Sequence, residues 1–135
     1  MRLASFERTR AMSVLLRFFR SALLLGRMPS LLGREIFRSR MSTQPSRAFE
    51  DAVVFVCDVE RCLRQLETFD QKLLAFCVLE DHSEWDAARR FHCSQSEVSR
   101  RLGRSLDSLH ESFCAMGILT RIEPAQVLAS HVEES

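Results

Sequence analysis

The sequence predicts an all-α protein: a small four-helix domain that ends in a helix-turn-helix, preceded by a basic and poorly ordered leader. From residue 46 onward, apolar residues recur at spacings of three and four, the period of a helix that is buried on one side. Capping residues divide this pattern into separate helices, and no alternating run typical of a strand interrupts it. At 135 residues, the chain has room for one modest domain.

Charge separates the leader, residues 1–45, from the rest of the chain. Residues 1–40 hold nine arginines against Glu7 and Glu35, a net charge of +7. Residues 41–135 hold ten basic and sixteen acidic residues, a net charge of −6. Because this larger part is acidic as a whole, any affinity for nucleic acid must come from a local basic patch.

Three interpretations of the leader stay open. It is a disordered or frayed segment, or an amphipathic helix that contacts a membrane surface or a partner through residues 10–27, or upstream sequence with the true start at Met41. We favour the Met41 start and do not favour membrane contact. The arginines that would form one basic face of the amphipathic helix are Arg10, Arg17, Arg20 and Arg27.

The first helix of the domain is expected directly after Ser46. Its apolar residues follow helical spacing: Phe49, Ala52, Val56, Val59, Leu63 and Leu66. Such a stripe either packs as the first helix of a bundle, which we favour, or pairs with a second copy as a short coiled coil. In the second case the Phe49–Leu66 helix would be a homodimer contact.

Two capping patterns predict the next two helices. Thr68, with Gln71 three residues later, fits a capping box that opens an apolar, central helix. A polar run after Leu79 ends this helix. Ser83, with Asp86 three residues later, then caps a third and shorter helix.

The segment AARRFHCSQSEVSRRL, Ala87 to Leu102, has the layout of a helix-turn-helix. The turn His92-Cys93-Ser94 interrupts the helical period, and Ser94 with Glu97 forms a second capping box. The chain leaving a helix often needs a positive φ, which histidine tolerates better than most residues other than glycine. We therefore expect left-handed backbone angles at His92 and an exposed ring.

The last helix should continue to a stop at Gly117. Gly103 lies inside it, where the missing side chain would let the helix lie close to another surface. The helical domain thus spans residues 46–123, and residues 124–135 form a polar tail.

Five arginines lie around the predicted turn against a single acid, Glu97, which indicates a local patch for nucleic acid. With Ser94 as the N-cap, the first turns of the last helix present a polar face opposite its apolar stripe. The residues expected to read bases in a major groove are Gln95, Ser96, Ser99 and Arg100. The residues expected to hold backbone phosphates are Arg89, Arg90, Ser94, Arg101 and Arg104.

From Val59 to Leu109 the sequence resembles region 4 of bacterial sigma factors, especially the extracytoplasmic-function kind. The positions that fall in the register of that family are Ala88, Phe91, Cys93, Ser94, Val98, Arg101, Leu102, Arg104, Leu106 and Leu109. Two residues depart from the pattern, since His92 replaces a favoured glycine and Glu97 replaces a common threonine. The resemblance implies contact with double-stranded promoter DNA and with subunits of RNA polymerase.

The helix-turn-helix alone is also similar to that of LysR-type regulators, which carry a comparable Ala-Ala, His, Ser-Gln-Ser and Val-Ser-Arg run. Those proteins continue into a β-wing and a large effector domain. This sequence shows no wing pattern after Phe113, so we prefer the sigma resemblance. Both resemblances imply the same chemistry, which is readout of double-stranded DNA.

Two functions follow from these observations. The first is a sequence-specific DNA-binding transcription regulator, similar to an orphan sigma region 4 that lacks a promoter-melting domain of its own. The alternative is a protein-interaction module that keeps the fold but binds RNA polymerase or another regulator. Two features motivate this alternative: the net charge of −4 over residues 46–123, and the apolar stripe from Phe49 to Leu66, which could take a partner helix.

We expect no enzyme activity, no cofactor and no metal. The sequence has no glycine-rich phosphate loop, and no histidine has an evident nucleophile partner. The pairs His92-Cys93 and His110…Cys114 lack the paired spacing of a zinc site. Five cysteines without a CxxC pair are typical of buried thiols in a reduced cytoplasm.

Overall fold

A computed structural model of the chain describes residues 2–26 and 47–121. The helices are α1 (Arg2–Leu24), α2 (Arg47–Leu63), α3 (Thr68–Leu74), α4 (Glu84–Phe91) and α5 (Gln95–Ala115), and a π-helical turn, Ala75–Leu79, continues α3. No strand occurs in the described part of the chain, so the predicted all-α class is confirmed. The predictions that concern Arg27, Met41 and the polar tail lie outside the described residues.

Helix α1 belongs to the hydrophobic core, and this corrects the expectation of a poorly ordered leader for residues 2–24. Its fully buried residues follow helical spacing: Ala11, Leu15, Phe18 and Ala22. Arg17 and Arg20 interrupt the apolar pattern in the sequence, but both lie on the exposed side of the helix. The apolar face is therefore continuous in three dimensions, and it packs against α5, α2 and the π-helical turn.

Two arginines of the expected basic face are held by contacts inside the molecule. The Arg17 guanidinium lies 4.0 Å from the centroid of the Phe55 ring on α2, a cation–π contact. Arg10 donates a hydrogen bond to the Thr120 carbonyl at 2.7 Å. The apolar face that a membrane-surface helix would insert is the one packed in the core. Among the described residues, no helix is long and apolar enough to cross a membrane.

Helix α2 uses its apolar stripe inside the molecule, as the bundle interpretation predicts. Val56, Val59 and Leu63 are buried in the core, whereas Phe49 and Ala52 are half-buried. A homodimer through this face would have to open the domain, because its central residues already contact other helices of the same chain.

Helix α3 begins one residue earlier than a cap at Thr68 predicts, and the predicted capping box does not form. Glu67 is the N-cap and its side chain makes no capping hydrogen bond. The Gln71 amide instead donates to the Leu66 carbonyl at 2.9 Å. Beyond α3, the Glu80 N–H donates to the Ala75 carbonyl at 2.9 Å, a wider π-helical turn that no sequence signal announced.

Aromatic contacts fix α4 against α3 and the π-helical turn. The Phe91 ring meets Phe69 edge-on at a centroid distance of 5.5 Å and Phe76 at 5.7 Å. His82 stacks on the other side of Phe76 at 4.0 Å. Such edge-to-face pairs stabilise by about 0.5–1.5 kcal/mol beyond the area that they bury. They set the position of α4, on which the helix-turn-helix depends.

Helix α5 crosses the domain with one buried stripe: Val98, Leu102, Leu106, Leu109 and Phe113. It ends at the predicted stop. Gly117 adopts a φ of +77°, and the Ile118 N–H donates to the Phe113 carbonyl at 2.9 Å. The Gly117 N–H donates to the Cys114 carbonyl at 3.1 Å, which completes a Schellman motif.

Candidate nucleic-acid interface

The structure contains two capped helices joined by a short turn at the position predicted for the helix-turn-helix. Helix α4 ends at Phe91, and α5 begins at Gln95 after a three-residue turn. Both helices have the predicted serine caps: the Asp86 N–H donates to the Ser83 hydroxyl, and the Glu97 N–H donates to the Ser94 hydroxyl, each at 3.1 Å.

His92 has the backbone that its position in the turn predicts. Its φ and ψ are 57° and 49°, the left-handed region, and its ring is exposed. The Cys93 N–H donates to the Ala88 carbonyl at 3.0 Å, which closes the end of α4. A histidine therefore occupies a left-handed position that glycine would adopt with less backbone strain.

Three of the four residues expected to read bases lie on an open face of α5. Ser96, Ser99 and Arg100 are exposed, opposite the buried stripe of the same helix. Gln95 is half-buried, and its amide donates to the Glu84 carboxylate on α4 at 2.6 Å. The face is thus continuous with the first turn of α4, a connection that spacing along the sequence could not show.

Glu97, the acid of the patch, holds two arginines by its carboxylate. Arg100 donates to it at 2.6 Å and Arg101 at 3.0 Å. These hydrogen bonds, that of Arg100 first, lower the pKa of Glu97 from its ordinary value. Because solvent reaches both side chains and screens the pair, Arg100 can exchange Glu97 for another acceptor at little cost.

Arg89, Arg90, Ser94 and Arg104, four of the residues expected to hold phosphates, are exposed. Arg89 forms an ion pair with Asp86 at 2.8 Å. Within the described part of the chain, no carboxylate forms an ion pair with Arg90 or Arg104. Because Ser94 caps α5, the positive end of the helix dipole points toward the same side.

Arg101, the fifth residue of that set, lies in a different environment. Its side chain is only 26% exposed, and it donates to Asp70 of α3 at 3.0 Å as well as to Glu97. Its guanidinium lies 4.8 Å from the centroid of the Phe69 ring. These contacts join α5 to α3. Arg101 thus helps to hold α5 in place against α3. Its contact with a DNA phosphate stays a prediction.

Gly103 allows a close approach, but the neighbour is α1. A Cβ on Gly103 would lie 2.9 Å from the central carbon of the Arg8 guanidinium. That guanidinium forms two hydrogen bonds of 2.8 Å with Asp107 on α5. Gly103 is therefore buried between two helices of the domain, and it is not part of the exposed face of α5.

Trp85 is the residue that sequence reasoning missed. It lies in the first turn of α4 and is 69% exposed, which is unusual for so large an apolar side chain. A pocket of about 580 Å³ separates the first turns of α4 and α5, lined by Trp85, Ala88, Arg89, Cys93, Ser94 and Gln95. The chain contains a single tryptophan. Spacing gave no signal of its exposure, because Trp85 lies three residues before the buried Ala88 and so near the same face of α4.

The cysteines occupy positions of different exposure. Cys62 is buried, Cys57 is exposed, and Cys77, Cys93 and Cys114 are half-buried, all as free thiols. Burial raises the pKa of the Cys77 thiol to about 11, so this thiol is a weak nucleophile and a weak metal ligand at neutral pH.

Glu7, His110 and Glu111 form a group of potential metal ligands, whose ligand atoms lie within 4.8 Å of one another. Two arginines face this group. The Arg10 guanidinium lies 3.4 Å from the His110 ring, and Arg121 pairs with Glu111 at 2.8 Å. Since their charges oppose a bound cation, we assign no metal to the group.

A comparison with models of known protein families gives no match. Comparisons with curated proteins and with solved structures give no match either.

Proposed function

We propose that the chain is a sequence-specific DNA-binding transcription regulator that acts on promoter DNA in the bacterial cytoplasm, in the manner of a sigma region 4. One observation carries the proposal. A helix-turn-helix with both helices capped presents Ser96, Ser99 and Arg100 on an exposed face, and exposed arginines flank that face on two helices. This combination suits insertion of α5 into a major groove.

Each part of the face has its own role in the proposal. Arg100 reads a guanine through its O6 and N7 atoms, and Gln95 reads an adenine. Arg89, Arg90 and Arg104 hold phosphates on either side, which positions the helix without specifying sequence. The N-terminus of α5 at Ser94 binds a further backbone phosphate.

The test compares two exposed arginines, one on each helix. DNA fragments retained by the full chain are selected from a random pool, and binding of the enriched and of scrambled sequences is measured by fluorescence anisotropy. Arg100→Ala should cost about 1–3 kcal/mol on the enriched sequence and relax the preference at one base pair. Arg90→Ala should weaken all sequences alike and lower the salt dependence.

Equal and small losses for both variants on every sequence would contradict base readout. A chain that fails to bind any duplex at about 50 mM salt, although folded by circular dichroism, would contradict the proposal as a whole. In that case the protein-interaction alternative is preferred.

This second candidate, a module that binds RNA polymerase or another regulator, has a structural observation of its own. Met12, Leu16 and Leu23 lie on one side of α1 and are exposed, although α1 is otherwise packed in the core. Spacing at four and seven places them in a row, which suits the apolar face of a partner helix. Replacing Leu16 by Glu should abolish capture of the polymerase subunit under this candidate and leave DNA binding unchanged.

A further inference from the structure

The pocket beside the first turns of α4 and α5 is lined by both apolar and polar side chains. Trp85, Ala88 and Cys93 are its apolar residues, and Arg89, Ser94 and Gln95 are its polar ones. Ser94 and Gln95 also belong to the proposed DNA-binding face, so pocket and face form one surface. Trp85 makes no ring contact with another aromatic side chain of the described residues, and most of its surface is open to solvent.

Glu84 determines how the Gln95 side chain is turned. A carboxylate only accepts hydrogen bonds, so the Gln95 amide nitrogen, and not its oxygen, must face Glu84. The second N–H and the oxygen of the Gln95 amide are then available to hydrogen-bond a base. Adenine presents the complementary pair in the major groove, an amino donor and the N7 acceptor. Guanine presents two acceptors, for which an amide held in this way is a poor match.

In duplex DNA, an adenine read by Gln95 is paired with a thymine. The C5-methyl group of thymine is the apolar feature of the major groove, and apolar side chains recognise it by contact. We propose that the pocket receives the C5-methyl group of a thymine in the base pair read by Gln95, or in the pair next to it, with Trp85 as the contacting side chain. This inference rests on the proposed function.

Charge supports duplex DNA as the occupant. Arg89 lines the pocket, is exposed and pairs with Asp86 at 2.8 Å. Arg90 follows it on the same helix and is exposed, with no ion pair among the described residues. A thymine methyl group in the major groove lies between two phosphate backbones, so a site for it should combine an apolar wall with nearby cations. Glu84 adds a carboxylate to this region, and one of its oxygens accepts the hydrogen bond from Gln95.

The test uses a change of one methyl group in the DNA. On the enriched sequence, each thymine is replaced in turn by deoxyuridine, which removes the C5-methyl group and keeps base pairing. We expect one position at which this replacement weakens binding about threefold to tenfold, the effect of losing one buried methyl group. In the Trp85→Ala variant, the replacement of that thymine by deoxyuridine should not change the binding affinity. In the Trp85→Phe variant, it should still weaken binding, but by less than in the unmodified chain.

A second arm tests the positioning role of Glu84. In Glu84→Ala the Gln95 amide can turn over, so a repeated selection should show a broader base preference at the adenine position, while the preference at the Arg100 position stays unchanged. Fluorescence of the single tryptophan should change when the enriched duplex is added, and less so with the deoxyuridine duplex.

The outcomes separate the inference from the function on which it rests. If specific DNA binding is found but no deoxyuridine position depends on Trp85, the inference is overturned and the function stands. An unaltered base preference in Glu84→Ala would overturn the role of Glu84. If the folded chain binds no duplex, the function and the inference fail together. Because Trp85 is exposed, its replacement should leave the melting temperature unchanged, which serves as the folding control.

Discussion

Removal of the Phe18 side chain tests whether α1 is a structural part of the domain. Phe18 is 0% exposed and lies in the core next to Leu15 and Ala22. Replacing a buried phenylalanine by alanine costs about 3–5 kcal/mol, the sum of lost transfer energy and the cavity left behind. Since single domains have about 5–15 kcal/mol of stability in total, Phe18→Ala should lose a large share of it.

Leu16→Ala is the matched control. Leu16 lies on the same helix but is 39% exposed, so it buries less area and leaves no enclosed cavity. Replacement by alanine raises the helix propensity more at Phe18 than at Leu16, so propensity opposes the expected difference between the two variants and cannot produce it. We expect a loss below about 1 kcal/mol for Leu16→Ala.

Urea unfolding of the full chain, followed by circular dichroism, measures both variants. The expected result is a fall in the midpoint at an unchanged slope, several times larger for Phe18→Ala than for Leu16→Ala. If Phe18→Ala does not fold at all, Phe18→Leu should retain most of the stability, with a loss of about 1.5 kcal/mol or less. Equal losses below about 0.5 kcal/mol for Phe18→Ala and Leu16→Ala would refute the packing of α1.

The remaining predictions concern two positions of backbone constraint. His92→Gly should leave the free energy of unfolding equal or raise it by up to about 1 kcal/mol. Glycine adopts the left-handed backbone angles without strain, but part of this gain is lost because glycine also raises the entropy of the unfolded chain. A drop of several kcal/mol in urea unfolding, or a metal-dependent melting temperature, would show that the His92 ring has another role. Gly103→Ala should change the stability by less than about 1 kcal/mol, since the gain in helix propensity offsets the displacement of Arg8 from Asp107. In an Arg8→Ala background the same substitution should stabilise by about 1 kcal/mol, and a loss in both backgrounds would mean that backbone, not the Arg8 side chain, blocks the site.

Local patterns predicted much of the domain because their causes are local. The serine caps at Ser83 and Ser94 act on N–H groups three residues away, so a sequence window of four residues contains all the partners. The left-handed turn at His92 and the stop at Gly117 follow from the end of a helix in the same way. The buried stripe of α5 follows from its period.

Residues 2–24 combine a high density of arginine with an apolar helical period, and the arginines favoured the expectation of a poorly ordered leader. The spacing of Ala11, Leu15, Phe18 and Ala22 was present in the sequence, but an amphipathic helix is stable only against a surface that buries its apolar face. That surface is formed by α2, α5 and the π-helical turn. The sequence of the leader alone does not contain this surface, because other parts of the chain supply it.

The sequence alone determined where α2 to α5 lie, how α4 and α5 are capped and which face of α5 is polar, because periodicity and capping depend on near neighbours. Only the tertiary structure decided that α1 is core, that Gly103 admits Arg8, and that Glu84 holds Gln95 beside Trp85. Each of these depends on how two helices cross. A crossing is set by the packing of many side chains at once, and it brings together residues that no spacing along the chain relates.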